Sequence, residues 1–152
     1  MEGRSGAEEV SYKLLRLVMT YMNMDRQMQN YGTDTVIYHS EIHLISAIAK
    51  NADINVKGLA EQFGITSASV SETLSKLQKK GLIKKTQDEG NLSRLKLSLT
   101  TKGRLAHEEH MRYHDEINQI IAEALTGATE EQLDFLIGFC NGVRTRMEDF
   151  KF

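Results

Sequence analysis

Asn55-Val56-Lys57-Gly58-Leu59-Ala60-Glu61-Gln62-Phe63-Gly64-Ile65-Thr66 runs directly into Ser67-Ala68-Ser69-Val70-Ser71-Glu72-Thr73-Leu74-Ser75-Lys76-Leu77-Gln78-Lys79-Lys80-Gly81, and this stretch decides the fold. Asn55 and Thr66 are residue types whose side chains accept hydrogen bonds from the first free amides of a helix. Gly64 and Gly81 are the residues that most readily take the left-handed conformation past a helix end. Between these marks, Val56, Leu59, Ala60 and Phe63 recur with helical spacing, as do Val70, Leu74 and Leu77, spaced by four and then three. The reading is a short helix, a tight turn, and a second helix with one apolar seam. After Gly81 the period changes. Leu82-Ile83-Lys84-Lys85-Thr86-Gln87 leads into Asp88-Glu89-Gly90-Asn91, and then Leu95, Leu97 and Leu99 alternate with Arg94, Lys96 and Ser98, which predicts a β-hairpin.

Outward from this centre the chain reads as helix. Leu14, Leu17, Val18, Tyr21, Met22 and Met28 mark an amphipathic helix over about residues 8–30, followed by a turn at Tyr31-Gly32-Thr33-Asp34. Ser40 is the expected cap of a second helix to about Asn51, with Ile42, Ile45, Ile48 and Ala49 on its buried side. Thr100 or Thr101 opens a long helix to about Leu125. Thr129-Glu130-Glu131-Gln132 has the spacing of a capping box for a last helix carrying Leu133, Leu136, Ile137, Cys140, Val143 and Met147. The expected fold is mainly α: a winged helix-turn-helix of six helices and a two-stranded β-hairpin wing.

Composition narrows the function. The chain has 152 residues, 40% hydrophobic and 26% charged, with no proline to interrupt long helices. Its apolar runs are only a few residues long and the N-terminus lacks a cleavable leader pattern, so a cytoplasmic place is expected. A single cysteine, Cys140, makes neither an internal disulfide nor a thiolate metal cage, which excludes zinc-finger and iron–sulfur chemistry. The net charge is only −2, yet residues 53–104 hold ten Lys/Arg against five Asp/Glu, so the flanks carry −7. A basic centre between acidic flanks suits a phosphate-binding surface on one lobe.

The second helix of the central pair has the chemistry for a DNA groove. Opposite its apolar seam lie Ser67, Ala68, Ser69, Ser71, Glu72 and Ser75, after Thr66. Small residues allow close approach, hydroxyls bond phosphates or base edges, and the helix dipole favours a phosphate at this end. Lys76, Lys79 and Lys80 toward the other end, and Lys84, Lys85, Arg94 and Lys96 on the hairpin, are the expected phosphate contacts. Glu72 would accept from a cytosine amino group or repel phosphate; a surface or intramolecular salt-bridge role is favoured.

Ile42-His43-Leu44-Ile45-Ser46-Ala47-Ile48, the 55–66 and 70–83 stretches, and Leu97-Ser98-Leu99-Thr100-Thr101-Lys102-Gly103 resemble, in order, the MarR family of bacterial transcriptional regulators. The resemblance implies an intertwined homodimer reading two halves of a pseudo-palindromic operator, with a repressor role relieved by a small-molecule effector. On it, residues 1–35 form an N-terminal dimerisation helix, 36–104 the winged DNA-binding lobe, and 105–152 the C-terminal dimerisation helices. Leu14, Val18, Leu133, Leu136, Cys140, Val143 and Met147 are the expected dimer contacts. Tyr21, Met22, Met28 and His43 are the expected lining of an effector pocket. The sequence departs from the family at the wing tip, where a basic pair is usual: this chain has Asn91-Leu92-Ser93, with Arg94 one place later.

All five histidines fall in two clusters, His39 with His43, and His107 with His110 and His114. Glu109, His110 and His114, with His43, are similar to the ligands of the family's zinc-sensing branch, which makes a zinc-responsive regulator the alternative reading. That branch also uses a cysteine ahead of the second helix, absent here. His107-Glu108-Glu109-His110 spaces its histidines by three rather than four, so it is no metalloprotease motif. Cys140, among apolar neighbours, reads as a small buried hydrophobe. More remote alternatives are a metal-dependent helical enzyme built on His107, His110, His114 and Glu109, and an interaction module without DNA binding.

Overall fold

A computed structural model describes residues 5–27, 29–51, 53–88 and 91–150, and at 26, 88 and 91–95 the backbone alone. The elements are α1 (Gly6–Gln27), α2 (His39–Lys50), α3 (Val56–Phe63), α4 (Ser67–Lys79), β1 (Ile83–Asp88), β2 (Asn91–Leu99), α5 (Thr101–Ala124) and α6 (Glu130–Asp149). These are the expected six helices and hairpin in the expected order. The chain divides into two compact units, one ending at Arg112 and one beginning at Tyr113.

In the first unit, Ile37, Ile42, Ile45, Leu59, Val70, Leu74, Leu77, Leu82 and Ile83 are all but sealed from solvent and form one core with Leu97. Each such side chain contributes about 1.5–3 kcal/mol on burial. Helix α2 lies at its centre. Leu44, Ser46 and Ala47 are buried besides the expected Ile42, Ile45 and Ile48, whereas Ala49 is exposed. A helix covered around most of its girth loses the one-sided pattern from which its inward face was predicted.

Three of the caps in this unit are the predicted ones. Asn55 accepts from the Gly58 amide at 2.9 Å, Thr66 from Ser69 at 3.2 Å, and Thr100 from Gly103 at 3.0 Å. The cap of α2 differs: Tyr38 stands there instead of Ser40, and its amide donates to the Glu41 carboxylate at 2.9 Å. The acidic residue one turn into the helix does the capping that a short hydroxyl usually does.

The hairpin is antiparallel and pairs Ile83 with Leu99, Lys84 with Ser98, Lys85 with Leu97 and Thr86 with Lys96. Directly paired residues share a face, so Ile83, Leu97 and Leu99 turn to the core and Lys84 and Lys96 away from it. The return into α5 is unusually close. A Cβ on Gly103 would stand 2.0 Å from the Leu82 carbonyl oxygen, which accepts from the Thr100 amide at 3.1 Å.

The second unit contains the end of α5 and all of α6. The capping box is present, with Gln132 N–H donating to Thr129 Oγ1 at 3.3 Å and Thr129 N–H to Gln132 Oε1 at 2.9 Å. No described residue of α6 is buried, and Phe135, Ile137 and Met147 are each at least 60% exposed. Cys140 is exposed in the single chain as well. Apolar spacing marks a face of a helix without saying what covers it.

Candidate nucleic-acid interface

The helix-turn-helix is closed by backbone geometry. Gly64 adopts φ 63°, and the Ile65 amide donates back to Ala60 O at 3.1 Å, which ends α3 and turns the chain into Thr66. The Thr66 hydroxyl lies 2.9 Å from Ser69 Oγ as well as receiving its amide. Val70, Leu74 and Leu77 fix the inner side of α4, each no more than 1% exposed. Ser67, Ala68, Ser69, Ser71, Glu72, Ser75, Lys76 and Lys79 are exposed, so the predicted outer face forms one continuous surface.

Not all of its hydroxyls point away from the helix. Ser75 Oγ donates to Ser71 O at 2.8 Å, and Thr73 Oγ1 to Ser69 O at 3.0 Å. Such bonds to the preceding turn are exchangeable for an external acceptor at little net cost, since the donor is satisfied in either state.

The charges are partly committed. Glu72 and Lys76, one turn apart, are 2.7 Å from each other. The Lys76 ammonium holds the Glu72 carboxyl below its ordinary range, and Glu72 raises Lys76 in return. Both are well exposed, so of the surface or intramolecular salt-bridge roles expected for Glu72 this is an intramolecular bridge on the surface. Lys79, Lys84 and Lys96 are exposed. Lys85 is half-buried on the inner face of β1, its Nζ 3.4 Å from Ser75 Oγ, bridging wing and helix. Lys80 is turned away from the surface on which it was expected. Its ammonium donates to Glu41 Oε2 at 2.6 Å and to Val36 O at 2.9 Å, and lies 4.9 Å from the centre of the Tyr38 ring. The Arg94 side chain lies outside the described residues.

The histidines gather where sequence spacing only half suggests. His39 Nδ1 lies 2.7 Å from Asp25 Oδ2, and His39 Nε2 lies 3.1 Å from His43 Nε2. The His43 and His110 rings meet edge to face at 5.2 Å, and His110 meets Tyr31 in the same way at 5.6 Å. Ser46 Oγ stands 3.0 Å from His110 Nδ1 and 3.1 Å from His107 Nδ1. Burial and then the nearby Lys50 charge lower the His107 pKa, against a smaller opposing effect of Glu108. Asp25 and Ser46 were missed as members of this cluster because they join it across the fold.

Of the candidate metal ligands, His43 and His110 are neighbours, Glu109 pairs with Arg112 one turn away, and His114 belongs to the second unit beside Tyr113. Among the described residues no three His, Cys, Asp or Glu side chains converge as metal ligands. Of the expected effector pocket, Tyr21 and Met22 are exposed on α1, His43 is half-buried on α2, and Met28 lies outside the described residues.

The fold has known counterparts. The model of the MarR family matches residues 37–92, which contain α2 to α4 and the start of the wing. The uncharacterized HTH-type transcriptional regulator YhjH of Bacillus subtilis (strain 168) is 31% identical over 105 residues, covering 69% of this chain and 60% of that protein. The HTH-type regulator PchR of the same organism is 25% identical, over 72% of this chain and 64% of its own length. The chain thus spans about 60% of the length of these curated relatives. Streptococcus pneumoniae FabT, solved in complex with DNA, superposes with a TM-score of 0.73 at 23% identity, over 95% of this chain and 99% of that one. The adhesin competence repressor AdcR of Streptococcus pyogenes does so with 0.71 at 19% identity, over 91% and 98%. The family model is seated on the helix-turn-helix, and the fold from α1 to α6 is the one these solved structures share, so the chain is similar to the MarR family.

Proposed function

We propose that this protein is a DNA-binding transcriptional regulator in which α4 enters a major groove and the wing steadies it on the backbone. The single observation carrying this reading is the two-sided build of α4. A sealed Val70/Leu74/Leu77 seam backs an exposed face of serines and alanine, with Lys79, Lys84 and Lys96 exposed nearby. Small side chains let the helix reach base edges, and phosphate contacts from the lysines set its register. The DNA complex of FabT lends the fold a precedent.

The working species is proposed to be a homodimer. Val10, Leu15, Leu17, Val18, Met19 and Met22 expose an apolar surface on α1, and Phe135, Leu136, Ile137 and Met147 do so on α6. Apolar faces of this extent on a monomer mark contact surfaces. The intertwined arrangement then gives two winged lobes on a pseudo-palindromic operator, about one helical turn apart. Repression relieved by a small effector completes the reading, the effector favouring a lobe spacing that DNA does not.

Fluorescence anisotropy with a random-sequence duplex tests the core of the proposal. Binding should weaken steeply as salt rises, and Ser69→Glu should abolish it while the dimer persists. Ser69→Glu binding like the unaltered chain would remove α4 from the interface.

A further inference from the structure

Lys80 stands at the C-terminal cap of α4, among the cations of the basic centre, yet its surroundings are those of an internal joint. Its side chain is only 23% exposed, and the Glu41 carboxylate it meets is 4% exposed. The same carboxylate oxygen accepts from the Tyr38 amide, and the ammonium also donates to Val36 O and lies over the Tyr38 ring. Three elements meet there: the segment leading into α2, the first turn of α2, and the end of the helix that faces DNA. A buried carboxylate needs its partner, because loss of either leaves an uncompensated charge in a poorly solvated place. The pair is therefore held to one geometry. Thr73 and Lys76 of α4 line the small recess beside it with Tyr38 and Ser40, so the joint adjoins the exposed face of α4.

We infer that Lys80 and Glu41 are positioning residues for DNA binding: their ion pair fixes the orientation of α4 against α2, and Lys80 makes no phosphate contact. This rests on the proposed DNA-binding role and adds a specific division of labour among the lysines. Lys79, Lys84 and Lys96 meet the backbone of DNA, whereas Lys80 sets the angle at which the helix arrives.

Charge alone predicts the opposite outcome for one variant, which makes the test sharp. Taking a negative charge from a DNA-binding lobe strengthens attraction to phosphates in general. A joint predicts that Glu41→Gln weakens binding, because the correctly aimed helix becomes a minor population and the apparent affinity falls by that fraction. The probe is the duplex that the unaltered chain selects most strongly from a randomised pool, followed by anisotropy across a salt series. Failure to select any duplex would count against the DNA-binding role itself, before this inference is reached.

Glu41→Gln and Lys80→Met are each expected to weaken binding to that duplex by about fivefold or more. Both should retain the salt slope of the unaltered chain, and the double variant should lose no more than the worse single one, as for residues acting through one contact. A slope for Lys80→Met shallower by about 0.9 is the signature of a lost phosphate contact and would overturn the inference. So would Glu41→Gln binding as tightly as the unaltered chain or more so. Should Lys80→Met not fold, Glu41→Gln carries the test alone, since its amide oxygen still accepts from Tyr38.

Discussion

Gly103→Ala isolates the close approach that sets the wing against α5. By helix propensity alone the change should stabilise, since alanine is favoured over glycine inside a helix by about 1 kcal/mol. Packing predicts the reverse. The new Cβ would lie 2.0 Å from Leu82 O and 3.0 Å from Leu82 C, where an unstrained carbon–oxygen contact is about 3.3 Å or more. The backbones must part by more than 1 Å. The Leu82 carbonyl cannot move alone, because it accepts from the Thr100 amide at 3.1 Å. Overpacking of this kind costs about 1–3 kcal/mol. Straining or losing the Thr100 amide bond adds about 1 kcal/mol. With the propensity gain set against these, the net destabilisation is about 1–3 kcal/mol. Urea unfolding followed by far-ultraviolet circular dichroism measures it, as a lower midpoint at unchanged slope. A midpoint that stays or rises would refute the packing argument, for propensity would then outweigh the contact.

Other consequences follow from the same geometry. Glu72→Gln releases Lys76 from its ion pair and removes a carboxylate from the DNA-facing side, so duplex binding should tighten and its salt slope steepen by about 0.9, readable by anisotropy. Lys84→Ala should weaken binding to all duplexes alike and flatten the slope by a similar amount; an unchanged slope would take the wing off the backbone. His107 titrates below its ordinary value of 6.5 because burial and Lys50 disfavour its charged form. The unfolded chain then takes up the proton first, so the stability contributed by neutral His107 is present above that value and is lost as pH falls through it. Thermal unfolding from pH 7.5 to 5.5 should show a smaller acid loss for His107→Gln than for the unaltered chain. Leu136→Asp combined with Val143→Asp should give monomers in sedimentation; an undiminished dimer would move the interface off α6.

What was readable in the sequence was local. Asn55, Thr66, Gly64 and Gly81 act within three or four residues, so their types and spacing predict the turn, and the Val70/Leu74/Leu77 period predicts the inner side of α4. The cap of α2 was misread because Tyr38 is no usual cap residue and the carboxylate that substitutes lies one turn ahead. The contacts that reassign Lys80 and gather the histidines join residues far apart in the chain: Lys80 to Glu41 across 39 residues, and Ser46 to His107 across 61. No periodicity reports such pairs, since they depend on how the helices pack. The charge count therefore treated Lys80 as one more surface cation. The apolar spacing of α1 and α6 was legible too, but exposure in a single chain is what turns it into a statement about partners.

The central claim is that the serine face of α4 meets duplex DNA, and amide hydrogen exchange tests it most directly. On addition of the selected duplex, peptides covering residues 66–80 and the strands of the wing should exchange more slowly, while those of α6 should not change. Exchange unaltered in 66–80 at saturating DNA, with slowing confined to α1 or α6, would contradict the account.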